Sequence, residues 1–172
     1  MKILAFVLST LGTISICIPP LLKGKNMKQI LLLVFFANAF VGASYAITGA
    51  FNGAATCAVG AGQTIINYFF ERKEKPIPKW LIVIYALSFT AANLLVFSQI
   101  ADIIALLAAL MFVMGISVKD GKRFRLCALI NTALWVLYDL VTLSFGPLST
   151  HSIQLATIIF GMVVHDRKKD NT

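Results

Sequence analysis

The sequence predicts an all-α integral membrane protein with seven transmembrane helices, and two features of its composition lead to that fold class. Hydrophobic residues make up 59% of the 172 residues and charged residues only 13%, which is typical of a single membrane domain, here residues 1–172. The basic residues also fall into clusters separated by long apolar stretches: Lys2; Lys23, Lys25 and Lys28; Arg72, Lys73, Lys75 and Lys79; Lys119, Lys122, Arg123 and Arg125; and Arg167, Lys168 and Lys169.

The basic clusters also predict the orientation of the chain. Seven crossings place every Lys and Arg except Lys2 on the same side of the membrane. Because cytoplasmic loops of membrane proteins are enriched in Lys and Arg, this side is predicted to be the cytoplasm, with the N-terminus outside and the C-terminus inside. The net charge of +8 then serves contact with anionic lipid headgroups, and no nucleic-acid partner is expected.

The lengths of the apolar stretches give the same number of helices. A spanning helix needs about 20 mostly apolar residues, so an uncharged run of about 40 must cross twice. Residues 3–22 form the first helix, and residues 30–70 form two, with a turn at Gly49, Asn52 and Gly53. Residues 80–118 form two more, with a turn near residues 98–102, and residues 126–164 form the last two around Gly146 and Pro147.

The first apolar stretch also resembles a secretory signal peptide, whose removal would leave six helices. Pro19 and Pro20 follow the small residues Ser15 and Cys17 closely, which makes a poor cleavage site. An N-terminus left inside would also reverse the side of every later basic cluster. We therefore expect this helix to be retained and to end or kink at the proline pair.

An internal repeat relates the two halves of the chain. An alignment without gaps pairs identical residues of both halves: Asn38 with Asn131, Tyr45 with Tyr138, Gly53 with Gly146, and residues 64–66 with residues 157–159. The aligned helices are an even number of helices apart, so both repeats insert in the same direction, as in carriers with parallel repeats. The prediction is a 3+1+3 layout: a three-helix bundle in residues 1–71, a linker helix in residues 72–100 and a second bundle in residues 101–172.

The sixth helix and its flanks carry a family resemblance. Residues 121–139 begin with basic residues and carry Asn131, Trp135 and Tyr138 at helical spacing. Residues 145–147 and the basic tail follow them. Over nearly the whole chain the sequence resembles the YgjV-type family of bacterial inner membrane proteins, which implies a multi-pass protein of the inner (cytoplasmic) membrane. More distantly, the layout is similar to SWEET and SemiSWEET sugar transporters and the PQ-loop group. Those carriers have hinge prolines in several helices, whereas here Phe112 stands at the position matching Pro19.

Polar and aromatic side chains share one face of helices two and six. Asn131, Trp135 and Tyr138 follow the helical spacing i, i+4, i+7, and Asn38 and Tyr45 repeat it in part. Polar side chains within a membrane should face protein or water, because exposure to lipid is costly. We predict a substrate-binding site built from four helices: Asn38, Tyr45, Gln63, Asn131, Trp135, Tyr138 and Gln154.

The walls of this site differ between the two repeats. Trp135 aligns with Gly42, so one wall would be an aromatic plate and the other an open slot. Such a pair suits a flat or ring-shaped polar solute, for example a sugar. The alternative for each amide is a hydrogen bond that holds two helices together, worth roughly 0.6–2 kcal/mol.

Asp139 is the only acidic residue inside a predicted span. A carboxylate at the middle of a membrane helix costs at least about 2.5–3.5 kcal/mol, so such a residue is a functional candidate by default. Counting along helices six and seven places His151 at a comparable depth. One hypothesis makes the two residues a gate pair that takes up a proton as the outer gate moves. The other makes them an interfacial hydrogen bond, with Asp139 reaching the outer water.

The sequence favours a carrier over an enzyme. It has no metalloprotease, nucleophile-elbow or phosphate-loop motif, and its three widely spaced cysteines suggest neither a disulfide framework nor a metal site. We predict a transporter of a polar metabolite that works by alternating access between the two bundles, without a cofactor. Its partners would be the lipid bilayer, the solute and, in a homo-oligomer, further copies of the chain. Such copies would meet through surfaces outside the central site. The alternative is a non-transporting receptor, scaffold or accessory subunit that depends on cytoplasmic loops such as residues 71–79.

Overall fold

The computed structural model describes residues 2–22, 27–48, 51–95, 97, 100–141 and 145–166. Within these residues the protein has seven α-helices, one 3₁₀ turn at Pro19–Leu21 and no β-strand. The helices are α1 (Lys2–Cys17), α2 (Met27–Thr48), α3 (Phe51–Arg72), α4 (Lys79–Leu95), α5 (Asp102–Ser117), α6 (Gly121–Val141) and α7 (Phe145–His165). The predicted all-α class and the number of helices are confirmed.

α1 ends at the proline pair, as the sequence predicts. Pro19 and Pro20 begin the 3₁₀ turn directly after it. Because proline has no N–H to donate to the preceding turn, it cannot continue the helix. The turn is closed by the N–H groups of Leu21 and Leu22, which donate to the carbonyls of Ile18 and Pro19 at 2.9 and 3.2 Å.

Two of the connections between helices are shorter than the sequence predicts. The first turn of α3 contains Asn52 and Gly53, which the composition suggests as loop residues, while Gly49 lies outside the described residues. The first turn of α7 likewise contains Gly146 and Pro147. Proline is accepted there because the first N–H groups of a helix have no partner within the helix. Turn-forming residues therefore serve here as helix starts.

Contacts between helices set their directions. α5 and α6 are antiparallel, because a higher residue number in α6 contacts a lower one in α5. Asn131 bonds to Ala108, and Tyr138 bonds to Asp102. α3 and α5 are parallel, because the numbers rise together: Gln63 bonds to Val113, and Asn67 bonds to Ile116. α1 and α7 are also parallel, since the 3₁₀ turn after α1 meets the last turns of α7.

This alternation of direction gathers the positive charge at one end of the molecule. Every described Lys and Arg other than Lys2 lies at or near the end where α2, α4 and α6 begin and α3, α5 and α7 finish. We call this the basic end and the opposite one the far end. In the described part of the chain, the acidic residues toward the far end are Asp102 and Asp139.

The order of packing is the same in both halves. α2 packs against α1 and α3, and α6 packs against α5 and α7. α4 packs against α3 and α5, which also contact each other. On the other side, α7 contacts α1 and the 3₁₀ turn. The backbones of the first three helices and the last three therefore approach each other along two seams, one between α3 and α5 and one between α1 and α7.

Two clusters of buried apolar side chains lie toward the basic end. One cluster joins the start of α2 to the end of α5 and the start of α6, and consists of Met27, Ile30, Leu31, Val34, Ile116 and Phe124. The second joins α4 to α5 and consists of Leu81, Tyr85, Phe89, Ala109 and Val113. Because lipid is as apolar as these side chains, close packing rather than removal from water is what holds such helices together.

Among the described residues, four helices are each long and apolar enough to cross a membrane: α1 with its 3₁₀ turn (Ile3–Leu21), and the segments Met27–Ser44, Gly121–Val141 and Leu148–His165 of α2, α6 and α7. α4 and α5 are apolar but shorter. α3 has 22 residues and is more polar because it carries the buried side chains of Gln63, Thr64 and Asn67. Exposed apolar side chains such as Leu87 and Phe160 cover the outside, as contact with lipid requires.

Candidate functional site

The amides of Asn38 and Asn131, aligned in the internal repeat, make different bonds. Asn38 Nδ2 donates to the Val34 carbonyl of its own helix at 2.9 Å. Asn131 Nδ2 instead donates across to the Ala108 carbonyl of α5 at 2.7 Å. Gly60 of α3 makes room for Asn38, because a Cβ there would lie 2.8 Å from Asn38 Oδ1. The Asn131 bond supports the helix-linking interpretation for that amide.

Gln63 and Asn67 connect α3 to α5 and differ in how fully they are bonded. Gln63 Nε2 donates to the Val113 carbonyl at 3.3 Å, whereas its Oε1 is buried with no hydrogen-bond partner among the described residues. Asn67 donates to the Ile116 carbonyl at 3.0 Å and accepts from Tyr85 Oη at 3.1 Å. Sequence reasoning did not single out Tyr85, because an aromatic residue in an apolar helix gives no sign of its partner.

A second unsatisfied polar atom lies on α6. Thr132 Oγ1 is buried and has no hydrogen-bond partner in the described residues. Thr132 precedes Asp139 by two helical turns, so both lie on one face of α6, and both are buried. A buried polar atom without a partner costs about 1–3 kcal/mol. Gln63 and Thr132 are therefore places where a water or a solute would gain a hydrogen bond.

Gln154 and Tyr45 of the predicted site contribute less to the described geometry. Gln154 is half-buried on α7, one turn after His151, and its main-chain carbonyl accepts from Thr157 Oγ1 at 2.8 Å. Tyr45 belongs to α2, but its side chain lies outside the described residues. Gly42 does not form an open slot, because a Cβ on it would come within 2.9 Å of Cys57 Cβ on α3. That glycine allows α2 and α3 to approach each other.

The structure brings Asp139 and His151 together. His151 Nδ1 lies 2.6 Å from Asp139 Oδ2, with side-chain exposures of 21% for the histidine and 3% for the aspartate. The contact joins α6 to α7 toward the far end. The carboxylate is therefore almost fully enclosed by protein. The basic side chain in contact with it is the His151 imidazole.

Trp135 packs against this pair through His151. Its indole stacks on the His151 imidazole, with ring centroids 5.6 Å apart and planes inclined by 18°. Its edge meets the Tyr138 ring at 5.6 Å and 87°. One face of the predicted aromatic plate is therefore occupied by His151. Helical spacing placed Trp135 beside Tyr138, but could not show which residue of α7 would cover it.

Tyr138 extends this group to a second carboxylate. Its hydroxyl donates to Asp102 Oδ1 at 3.2 Å. Asp102, which the sequence suggests as a turn residue, is the first residue of α5, where the positive end of the helix dipole favours an acid. We call the connected side chains the far-end cluster: Asp102, Trp135, Tyr138, Asp139 and His151.

A second buried ion pair joins the same two helices at the basic end. Arg125 of α6 contacts both carboxylate oxygens of Asp166, with Nε donating to Oδ2 at 3.1 Å and Nη2 donating to Oδ1. The side chains are 4% and 12% exposed. Arg125 Nη1 also donates to the Leu22 carbonyl at 3.2 Å, and His165 Nε2 donates to the Leu21 carbonyl at 2.6 Å. We call this group the basic-end latch.

The basic-end latch ties the first three helices to the last three. Its acceptors follow α1, and its donors belong to α6 and α7. Gly161 allows the approach, because a Cβ on it would overlap the Pro20 carbonyl. Sequence reasoning counted Arg125 only as a marker of the cytoplasmic side. The one available signal was Asp166, an acid directly before the basic tail.

The described residues give no support for a metal centre, since no group of three or more His, Cys, Asp or Glu among them is placed to hold an ion. The three cysteines, Cys17, Cys57 and Cys127, are free. The far-end cluster and the basic-end latch each offer hydrogen-bonding groups, charged groups and one imidazole.

Comparison with known families identifies the class of the protein. Residues 4–169 match the model of Imp-YgjV, described as a bacterial inner membrane protein. The chain belongs to the Imp-YgjV family. The resemblance seen in the sequence and the expected location are thereby confirmed: this Imp-YgjV protein is a multi-pass protein of the bacterial inner membrane. No curated protein and no solved structure matches the chain.

Proposed function

We propose that this Imp-YgjV protein is a carrier of a small polar solute that works by alternating access. In this proposal all seven helices span the membrane, the basic end faces the cytoplasm, and the far end faces outward. Residues 1–71 and 101–172 form two parallel three-helix repeats joined by residues 72–100. A ring-shaped solute such as a sugar is one candidate.

The charge distribution supports this topology. Seven alternating helices with the basic residues at one end agree with the enrichment of Lys and Arg in cytoplasmic loops. α4 and α5 have 17 and 16 residues, or about 24–26 Å of helix at 1.5 Å per residue. This falls a few ångströms short of a bilayer core of about 30 Å, a mismatch that local thinning of the bilayer can accommodate.

The packing order supports two bundles that move against each other. Each triplet has its middle helix between the other two, and the triplets meet along the α3–α5 and α1–α7 seams. Near the basic end these seams are closed by Asn67 on one side and by the basic-end latch on the other. Alternating access would require these contacts to break when the site opens toward the cytoplasm.

The observation that carries the proposal is Gln63. Its Nε2 bonds across the α3–α5 seam, while its Oε1 is buried without a partner among the described residues. An unsatisfied acceptor deep in a membrane protein is expensive, and a polar group of this kind is a candidate for a solute pathway. Asn67, one turn further along α3, is fully bonded and provides an internal control.

The test uses thermal unfolding of purified protein in detergent against a panel of sugars, nucleosides, vitamins and amino acids. A solute at a hundred times its Kd should stabilise the wild type by about 2.7 kcal/mol. Gln63→Met should keep an unfolding temperature close to that of the wild type and lose the solute-dependent shift. Asn67→Leu should unfold at a lower temperature, because it removes two hydrogen bonds, and should keep the shift. Asn131→Ala removes the hydrogen bond to the Ala108 carbonyl. It tests whether the Asn131 amide also contributes to the solute-dependent shift.

A compound that shifts the wild type but not Gln63→Met then enters a flux assay in liposomes. Uptake by the wild type and its loss in the folded variant would support the carrier. If no compound of the panel shifts the wild type, the carrier proposal fails, and a receptor or scaffold becomes the better explanation. In that case the exposed segment between α3 and α4, which contains Lys73, Glu74 and Lys75, is the place to look for a protein partner.

A further inference from the structure

The far-end cluster contains a proton site that a solute-binding role does not require. His151 lies between two groups of complementary character: the Asp139 carboxylate 2.6 Å from Nδ1 and the Trp135 indole stacked on its ring face. Both favour a positively charged imidazole, because carboxylates attract cations and the face of an aromatic ring is electrostatically negative. The surroundings are therefore arranged for imidazolium.

The charge balance of the pair gives the reason for a bound proton. With one exchangeable proton the Asp139 and His151 pair is neutral overall, and without it the pair carries one net negative charge. Asp139 is 3% exposed, and an uncompensated charge at such a position is strongly unfavourable. Since Nδ1 faces Asp139, Nε2 is the atom that gains or loses the proton.

Among the ion pairs of the described residues, the partner of Asp139 is His151. α5 contributes Asp102, which bonds to Tyr138 and adds negative charge. α7 carries its other titratable residue, His165, at the basic end, and α1, which also packs against α7, has Lys2 at its start and Cys17 at its end. Because α1 is parallel to α7, Lys2 begins α1 toward the same end, whereas His151 is the basic side chain in contact with the Asp139 carboxylate.

We propose that the Trp135, Asp139 and His151 side chains form a proton-binding site that loads from the far end and controls the separation of α6 and α7. The loaded site holds the two helices together through the charged hydrogen bond and the stacked ring. Release of the proton leaves a net charge that water must solvate, so α7 moves away from α6 at the far end. This rests on the proposed function, for which the proton is the coupling ion of the carrier.

The site can be observed directly through its own tryptophan. The chain has two tryptophans, and Trp80 is exposed on α4, so Trp80→Phe leaves Trp135 as the sole emitter. A protonated imidazole quenches a stacked indole more strongly than a neutral one. The emission of Trp80→Phe should therefore rise along a single one-proton curve as the pH increases.

Three further variants in the Trp80→Phe background assign that curve. His151→Gln should abolish it, and His165→Gln, which removes the other of the two histidines, should leave it unchanged. Asp139→Asn should displace the curve, because the group in contact with His151 Nδ1 is no longer a carboxylate. An emission that is flat with pH, or a curve that survives in His151→Gln, would overturn the proton site.

Two controls keep the test decisive. If His151→Gln does not fold, His165→Gln leaves His151 as the sole histidine, and its titration is read from the imidazole signals of ¹⁵N-histidine NMR. Helix separation is read from acrylamide quenching of Trp135, which should increase above the midpoint as water enters. Equal quenching below and above the midpoint would overturn the proposal that the proton controls the separation of α6 and α7.

None of these measurements needs a solute, so the two proposals fail separately. A solute panel without any thermal shift overturns the carrier and leaves the titration of Trp135 as it stands. A flat titration overturns the proton site while solute-dependent shifts that Gln63→Met abolishes still support a carrier.

Discussion

The two ends of the α6 and α7 pair are held by the same kind of contact with opposite consequences. At the basic end Arg125 binds Asp166, and at the far end His151 binds Asp139, so each contact places a buried carboxylate against a base on the partner helix. A guanidinium stays protonated at any physiological pH, whereas an imidazole changes charge near neutrality. The contact at the basic end therefore stays charged at any physiological pH, whereas the contact at the far end is charged only while it carries a proton.

The surroundings strengthen this difference. The arginine makes two bonds to the carboxylate and a third to the Leu22 carbonyl, so its geometry is fully specified. The histidine makes one bond to its carboxylate and otherwise lies against an aromatic ring. A group with many directional bonds is costly to replace, while a stacked imidazole can separate from its neighbours without breaking a network.

The largest expected effect comes from breaking the basic end. Arg125→Leu should destabilise the protein by about 3 kcal/mol, because it leaves the Asp166 carboxylate without its cation and the Leu22 carbonyl without its donor. The measurement is thermal unfolding in detergent followed by circular dichroism. Lys119→Met is the control, since it breaks the more exposed pair with Glu71 at 3.6 Å and should cost less than about 1 kcal/mol. Equal losses in both variants would contradict the role given to Arg125.

The next effect is the pH dependence of the far end. In the proton-site proposal the charged hydrogen bond forms when His151 carries its proton, so the protein should be more stable at low pH than at high pH. Unfolding temperatures at several pH values would show a decline in the wild type and a much flatter profile in Asp139→Asn. A variant that retains the full decline would assign the dependence to another group.

A smaller effect tests the contact between the halves at the basic end. Gly161→Ala should cost about 1–3 kcal/mol, because the new methyl group would overlap the Pro20 carbonyl and push the 3₁₀ turn away from α7. Gly62→Ala is the matched control, since a Cβ there has no neighbour within 4 Å and alanine is the better helix former. The prediction fails if both variants unfold at the same temperature.

The sequence predicted the helices better than their partners. Charge clusters and apolar lengths located seven helices because lipid imposes both. Counting residues away from a short connection placed Asp139 and His151 at one level, since antiparallel neighbours pair in that way. It could not distinguish Arg125 from the exposed Arg123, because only the position of α1 and its 3₁₀ turn decides which arginine is buried. For the same reason Trp135 was predicted as an open plate, although α7 covers one of its faces.

The central claim is that α6 and α7 separate with pH at the far end and stay together at the basic end. Spin labels on exposed, lipid-facing positions can test it in a variant without native cysteines: Leu137 and Ile153 toward the far end, and Leu126 and Val164 at the basic end. Dipolar broadening in continuous-wave EPR reports both separations. The account predicts that the first pair moves apart between about pH 5.5 and 8.5 while the second keeps its distance. If both pairs stay fixed, or if both move together, the account is contradicted.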